Sequence, residues 1–157
     1  MADGLLLVER AAEQSASMRL GAIHASCLSG LGEVHLRAGR LVEALRSVQQ
    51  ALDLFRVTKQ RSAEAEAGWM LGDIRSARAR SGLEEAEAAY RQSLSMACEL
   101  EMRPLMARCH LSFGRLCRLT GRALEAREHV ATAMAMFRDM GMRRGLEDAE
   151  AELRLAG

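Results

Sequence analysis

The residues of this chain best suited to bind a metal are the cysteines and histidine between Cys109 and Cys117. Thiolate and imidazole are ligands that zinc prefers, so Cys109, His110 and Cys117 are the set to test first. In a helix, however, the adjacent Cys109 and His110 point about 100° apart, and about 12 Å of rise separates Cys109 from Cys117. We therefore expect structural cysteines, a histidine that packs between helices, and no metal site.

Catalysis needs titratable or nucleophilic side chains that converge, and the sequence shows no such cluster. His24 and His129 have no acid or nucleophile beside them, and His35 stands where it should face a neighbouring helix. The glycines that interrupt the helical pattern are isolated and bounded by helix formers, which argues against a phosphate-binding loop. We expect neither an enzyme nor a cofactor.

The composition narrows the range of partners. The 157 residues include 22 Lys and Arg against 21 Asp and Glu, a formal net charge of +1, so no global positive field favours nucleic acid. The apolar run from Leu5 to Val8 is too short for a signal-peptide core, and no segment approaches the length of a membrane span. The cysteines form no CxxC pair, which is typical of reduced thiols. These features predict a cytoplasmic location.

The pattern of apolar residues predicts an all-helical chain, since they recur every three or four positions and Pro104 is the one proline. A run of this kind from Leu41 to Phe55 follows Gly39, where the chain must turn out of the preceding helix. These two helices form a hairpin, and similar hairpins follow. A glycine inside the first helix recurs after 40 and then 42 residues, at Gly32, Gly72 and Gly114. Such a period is typical of a solenoid.

These hairpins resemble the tetratricopeptide repeat. Each first helix carries an apolar residue followed by glycine, as Leu31-Gly32, Leu71-Gly72 and Phe113-Gly114. Each second helix carries an alanine four positions before a larger residue, as Ala44 and Val48, Ala86 and Tyr90, and Ala126 and Val130. Pro104 also stands where that repeat has its proline. The resemblance implies that close helix packing offsets the cost of a mid-helix glycine, about 1 kcal/mol.

The resemblance implies an all-α fold, a right-handed α-α superhelix that forms one domain over residues 1–157. We expect three complete hairpins, at about 21–58, 61–101 and 103–140. Residues 4–18 align with the second helix of a repeat whose first helix is absent. Residues 143–154 are expected to form a capping helix with a charged outer face that includes Glu152. Repeats of this length are similar to the C-terminal arrays of bacterial nucleotide cyclases and ATPase-type transcription activators.

The first helices of such repeats line the concave face of the superhelix, so the residues on that face predict a binding groove. Its middle is acidic and partly apolar, with Trp69 as an aromatic anchor, and its third repeat is basic. The groove residues are Ser29, Glu33, Glu66, Trp69, Asp73, Arg108, Leu111, Arg115 and Arg118. In the alternative interpretation these charges pair between neighbouring helices, Glu66 with Arg108 and Asp73 with Arg115, which leaves Arg118 unpaired.

Two functions remain open from the sequence. The first is a non-catalytic module of bacterial signalling or regulation that binds a peptide, a helix or a partner subunit, in the groove or at the half repeat. The second is a sensing domain that binds a small molecule such as a sugar in the groove, as related arrays in transcription activators do. The partner in the first case is a protein, and neither nucleic acid nor membrane is expected.

The half repeat predicts a further binding surface. Leu5, Leu6, Leu7 and Val8 are consecutive and point to every side of their helix, while only one side can pack on the next hairpin. The remaining apolar surface is expected to drive self-association, most simply as a two-fold homodimer in which each half repeat covers the other. The alternative cover is an upstream domain of a longer parent protein.

Overall fold

A computed structural model describes residues 2–17, 21–78 and 82–155. The described chain contains eight α-helices and no strand, which confirms the predicted all-α architecture. The helices are α1 (Ala2–Ser17), α2 (Gly21–Arg37), α3 (Leu41–Val57), α4 (Arg61–Ser76), α5 (Leu83–Glu99), α6 (Arg103–Leu119), α7 (Ala123–Asp139) and α8 (Arg143–Leu155). None of these described helices is both long enough and apolar enough to cross a membrane.

The helices pack in sequence order, and three pairs form hairpins: α2 with α3, α4 with α5, and α6 with α7. The first helices also contact one another, because α4 touches both α2 and α6, and α6 touches α8. This arrangement confirms the predicted solenoid of helical hairpins. At its two ends, α1 packs on α2 as the second helix of an incomplete hairpin, and α8 occupies the position of a further first helix.

Most turns between helices share one geometry. The chain leaves α2 at Gly39, whose φ of 72° lies in the left-handed region, and the amide of Arg40 donates to the carbonyl of His35 over 2.9 Å. This motif satisfies carbonyl groups at the end of a helix that would otherwise have no partner. Left-handed residues stand at the same place after α3, α5, α6 and α7, at Lys59, Glu101, Gly121 and Gly141. Each of these turns takes three residues and sets consecutive helices side by side.

The glycines inside the first helices bring the two helices of each hairpin together. The side chain of Val48 fills the space beside Gly32 and would overlap a Cβ atom there. The same contact joins Gly72 to Tyr90 and Gly114 to Val130. Close helix packing is therefore the reason that glycine is tolerated mid-helix. The residue that uses the space is the larger residue of the second helix rather than its alanine.

The core continues to both ends of the array, but the ends differ. At the C-terminal end, Phe137 is buried under α8, with half-buried methionines around it: Met134, Met136, Met140 and Met142. At the N-terminal end, Leu5 and Val8 pack on the core, whereas Leu6 and Leu7 are exposed. Residue 18, the end of the predicted half repeat, lies outside the described residues.

The C-terminal helix differs from the expected cap at Glu152. The sequence assigns this residue to a charged outer face, and that assignment is wrong, because Glu152 is only 6% exposed. Glu152 lies three residues after the fully buried Ala149, so the two share one face of α8. That face packs against α6 and α7, where a carboxylate meets basic side chains instead of water.

Candidate functional site: the groove along the first helices

A groove of about 420 Å³ opens along α2, α4 and the first half of α6. It is lined by Ser29, Gly30, Glu33, Leu36 and Arg37 of α2, by Glu66, Trp69, Met70 and Asp73 of α4, and by Arg108 of α6. The residues of each helix recur at three or four positions and so occupy one helical face. The structure thus brings six predicted groove residues together: Ser29, Glu33, Glu66, Trp69, Asp73 and Arg108. Their role in binding stays a prediction.

Trp69 lines this groove and is held from two sides. Its indole N–H donates to the hydroxyl of Ser112 over 2.9 Å, and the guanidinium of Arg108 lies 5.0 Å from the ring centre. The ring is half-buried, because it also packs against a buried cluster that includes Leu105. A cation over an indole contributes about 0.5 to 1 kcal/mol at an exposed site. Trp69 is therefore a fixed aromatic surface with one part open to the groove.

Asp73 is the acceptor of a hydrogen-bond network behind Trp69. Its Oδ1 accepts from the hydroxyl of Tyr90 over 2.6 Å and from the hydroxyl of Ser112 over 3.0 Å. Burial raises the pKa of Asp73 above its usual value, and the two hydroxyl bonds oppose that rise. Burial and the charge of Asp73 also raise the pKa of Tyr90, so the phenol stays protonated and remains the donor. Through Ser112, the network fixes the orientation of Trp69.

The other charged residues of the groove are paired. Glu33 and Arg37 approach to 2.6 Å within α2, and Glu66 and Arg108 approach to 3.8 Å between α4 and α6. The predicted pairing of Glu66 with Arg108 is confirmed. All four side chains are at least one-third exposed, so solvent screens each pair and limits its contribution to about 0 to 1 kcal/mol. Neither ion pair therefore contributes much to the stability of the fold.

The three remaining predicted residues, all on α6, lie outside the groove. Leu111 is buried among core residues of the third hairpin. Arg115 and Arg118 approach the Glu152 carboxylate at 3.5 and 2.5 Å. The predicted pairing of Asp73 with Arg115 and the prediction that Arg118 is unpaired are both wrong, because the carboxylate of the next first helix binds both arginines. Arg115 and Arg118 of the third repeat thus share one carboxylate, which α8 supplies.

Sequence reasoning missed the two hydroxyl groups that bind Asp73. Ser112 lies one turn after Arg108 on the same face of α6, which is the signal that could have identified it. Tyr90 lies in the core, where it is 2% exposed. A buried tyrosine usually has a hydrogen-bond partner for its hydroxyl, and this rule would have pointed to a polar residue nearby.

The cysteines and histidines of α6 have other roles. In the described ranges, no group of three or more His, Cys, Asp or Glu side chains is placed to hold a metal ion. Burial raises the pKa of Cys109 to about 11, which makes its thiol a poor ligand and a poor nucleophile. The Nδ1 atoms of His110 and His129 lie 3.0 Å apart, so one ring donates to the other. Burial lowers the pKa of both histidines.

The comparison with known proteins agrees with this geometry. A family model described as tetratricopeptide repeat matches residues 23–99, which hold most of α2 and all of α3, α4 and α5. No curated protein matches the sequence. Repeats of this family generally mediate protein–protein interactions and typically have no catalytic role. α6 and α7 repeat the glycine contact of the two matched hairpins, and those matched hairpins belong to the tetratricopeptide repeat family.

Proposed function

We propose that this chain is a non-catalytic interaction module that binds a peptide or a partner helix in the groove along α2, α4 and α6. The observation that carries the proposal is Trp69, an aromatic side chain fixed by Ser112 and Arg108 and open to a groove large enough for several side chains. Rigid aromatic residues are common anchors at protein interfaces because they bury a large area at a small entropic cost.

The lining of the groove indicates what the partner segment should offer. Leu36 and Met70 provide apolar surface beside Trp69, so the segment should present an apolar side chain there. Glu33 and Glu66 also line the groove. Each forms an ion pair with an arginine, and solvent screens both pairs. A basic group next to the apolar one can take the place of Arg37 or Arg108. The proposed ligand is therefore an apolar residue flanked by Lys or Arg.

No observation favours the alternative of a sugar sensor. A sugar site generally needs several aromatic surfaces, and Trp69 is the one aromatic residue that lines the groove. The position of the chain in a bacterial signalling protein is proposed from the length of its repeats alone. A cytoplasmic location is also a proposal, and the four cysteines support it, because all of them are free thiols.

A second candidate surface is the half repeat, where the sequence predicts self-association through Leu5, Leu6, Leu7 and Val8. The observation that favours a binding role is the exposure of Leu6 and Leu7, at 48% and 65%. Apolar side chains exposed together at the end of a solenoid mark an interaction surface. Leu5 and Val8, in contrast, already pack on the core of the chain.

The groove proposal is tested by measuring how a substitution that fills the groove, and leaves the core unchanged, affects binding of the partner. Partners captured from the native cytoplasm are identified by mass spectrometry, and the segment that binds is then titrated against the chain while Trp69, its single tryptophan, reports by fluorescence. We expect Ser29→Arg to weaken binding about tenfold or more, because the arginine occupies the groove and repels a basic ligand. Ser95→Arg on the exposed surface of α5 is the matched control. Equal binding by both variants contradicts the proposal.

A further inference from the structure

The incomplete hairpin at the N-terminal end leaves open positions that the complete hairpins bury. By the repeat spacing, Ala11 of α1 corresponds to Ala51, Ser93 and Ala133. Those three residues are at most 1% exposed, whereas Ala11 is exposed. Val8 likewise corresponds to Val48, Tyr90 and Val130, which are at most 2% exposed, whereas Val8 is half-buried. The residue types are similar, so the difference lies in what covers them.

The first turns of α2 show the same difference. Ile23 is 53% exposed, whereas Leu105, at the same position of α6, is 1% exposed. Cys27 is half-buried, whereas its counterparts Ala67 and Cys109 are fully buried. Within the array these positions pack against the preceding hairpin: Leu105 and Cys109 cluster with Ala65 of α4 and Ala97 of α5, and Ala67 belongs to the cluster that holds Leu28 of α2. The open positions on α1 and α2 therefore belong to one surface.

In the complete hairpins a first helix with a central glycine covers this surface. Val48 fills the space beside Gly32, and Val130 fills the space beside Gly114. The position of Ala11 also faces a first helix, because the hydroxyl of Ser93 donates to the carbonyl of Ala65 in α4 over 2.7 Å. A helix that covers α1 must then approach its backbone closely, and a glycine opposite Val8 allows that approach.

A second copy of this chain could offer α1 or α8 as the covering helix, but neither of these terminal helices carries a glycine where it would lie opposite Val8. Residues 5–16 of α1 contain no glycine and present Leu6 and Leu7 on their exposed side. In α8, Arg154 is the twelfth residue, the position held by glycine in α2, α4 and α6. An arginine there keeps a second helix at a distance. The geometry therefore does not favour a two-fold pairing of half repeats or a head-to-tail chain of copies.

We propose that the surface formed by Leu7, Val8, Ala11, Ile23 and Cys27 binds an amphipathic α-helix of a partner protein, which presents a glycine to Val8 as α2 presents Gly32 to Val48. This N-terminal surface is separate from the groove, so the inference goes beyond the function proposed above and does not depend on it. The helix completes a hairpin with α1 and continues the row of first helices ahead of α2. Its apolar face carries small residues and leucine, as the corresponding face of α2 does.

The sequence of α2 supplies a probe for this surface. Leu5, Val8 and Ala11 of α1 align with Leu45, Val48 and Ala51 of α3, the natural partner of α2. A fluorescent peptide of residues 21–37 is titrated with the chain under reducing conditions, and anisotropy reports binding. The control peptide carries Gly32→Leu, which improves helix propensity and removes the space for Val8. We expect the control to bind about tenfold more weakly or worse.

Variants of the chain locate the binding site. Leu7→Glu should weaken binding of the residue 21–37 peptide about tenfold or more, because a carboxylate then lies in the interface. Val42→Glu, at a comparably exposed valine on α3, should leave binding unchanged, and so should Ser29→Arg in the groove. Binding that survives Leu7→Glu, or a control peptide that binds as well as the parent peptide, overturns the proposal.

A second measurement keeps the inference open to refutation if the free peptide is too disordered to bind. Residues 21–40 joined directly ahead of Met1 keep the register in which residue 40 precedes Leu41 at the start of α3. The added helix should raise the midpoint of thermal unfolding, and the same extension with Gly32→Leu should not. Sedimentation of the unextended chain distinguishes the other occupant: a dimer at tens of micromolar that Leu7→Glu dissociates overturns the proposal in favour of a second copy.

Discussion

One repeat position is exposed to solvent at the N-terminal end of the array and covered near the C-terminal end. Leu7 in α1 and His129 in α7 stand at the same place by the repeat spacing. Leu7 is 65% exposed, whereas His129 is half-buried, with its Nδ1 3.0 Å from that of His110 and its ring 5.0 Å from that of Phe113. The apolar residue faces solvent and the polar one is covered. Burial at this repeat position thus depends on whether a first helix packs over it, and not on the polarity of the residue.

The terminal helices explain how one end is closed and the other is open. α8 takes the place of a first helix, covers α7 with Leu146 and Leu153, and binds two arginines of α6 through Glu152. At the position where the other first helices have their central glycine, α8 carries Arg154, whose side chain prevents the close approach of another helix. α1 is a second helix, and the helix that would cover it is not part of the described chain. α8 therefore covers one end of the described array, whereas the corresponding surface of α1 is exposed.

The largest expected effect comes from the glycine contact of the closed end. Gly114→Leu places a side chain where Val130 lies, so we expect the free energy of unfolding to fall by about 2 to 3 kcal/mol despite the better helix propensity of leucine. Gly30→Leu, near the open end, is the matched control. A Cβ atom there meets only Val8 at 3.9 Å, so stability should be unchanged or rise by up to about 1 kcal/mol. Urea denaturation of both variants measures the difference, and equal stabilities refute the packing explanation.

A smaller effect is expected from the carboxylate that joins α8 to α6. Glu152→Ala removes the partner of Arg115 and Arg118, and we expect a loss of about 1 to 2 kcal/mol, because both arginines can still reach water. Glu147→Ala on the exposed side of α8 breaks only a surface pair with Arg143 and should change stability by less than about 0.5 kcal/mol. If urea denaturation finds the two variants equally stable, Glu152 does not hold the closed end.

Much of the fold could be predicted from the sequence, because its signals are local and repeated. The spacing of Gly32, Gly72 and Gly114 indicates the hairpins, and the left-handed turn after α2 is marked by Gly39. Two of the turns place Lys59 and Glu101 in the left-handed region, which composition alone does not reveal. Repetition compensates for this, since Lys59 and Glu101 both stand 13 residues ahead of a mid-helix glycine, Gly72 and Gly114.

The groove could be predicted only in part, because its details depend on the rotation of each helix about its axis. The faces of α2 and α4 follow from residues three or four positions apart, and there Glu33, Trp69 and Asp73 line the groove, while their role in binding stays a prediction. On α6 the same reasoning assigns Leu111 to the groove, although it points into the core. The partner of Arg118 was missed because Glu152 is 34 residues away and looks, within its own helix, like a solvated charge.

The smallest effect that separates the two ends is a dependence of stability on pH. Burial lowers the pKa of His110 and His129 below the ordinary value of 6.5, so the folded chain binds fewer protons than the unfolded chain as the pH falls through that range. Their contribution to stability is therefore present above pH 6.5 and is lost toward the lowered pKa values. We expect the free energy of unfolding, measured by urea denaturation, to be lower at about pH 5.5 than at about pH 7.5. In the double variant His110→Gln, His129→Gln this decrease should be smaller.

Asp73, whose pKa is raised by burial, acts with the opposite sign, because its protonation favours the folded chain. The difference between parent and double variant cancels that contribution, since both chains keep Asp73. If the free energy of unfolding changes equally in both chains between the two pH values, the two histidines are not covered as the structure places them. The contrast between a covered His129 and an exposed Leu7 then fails.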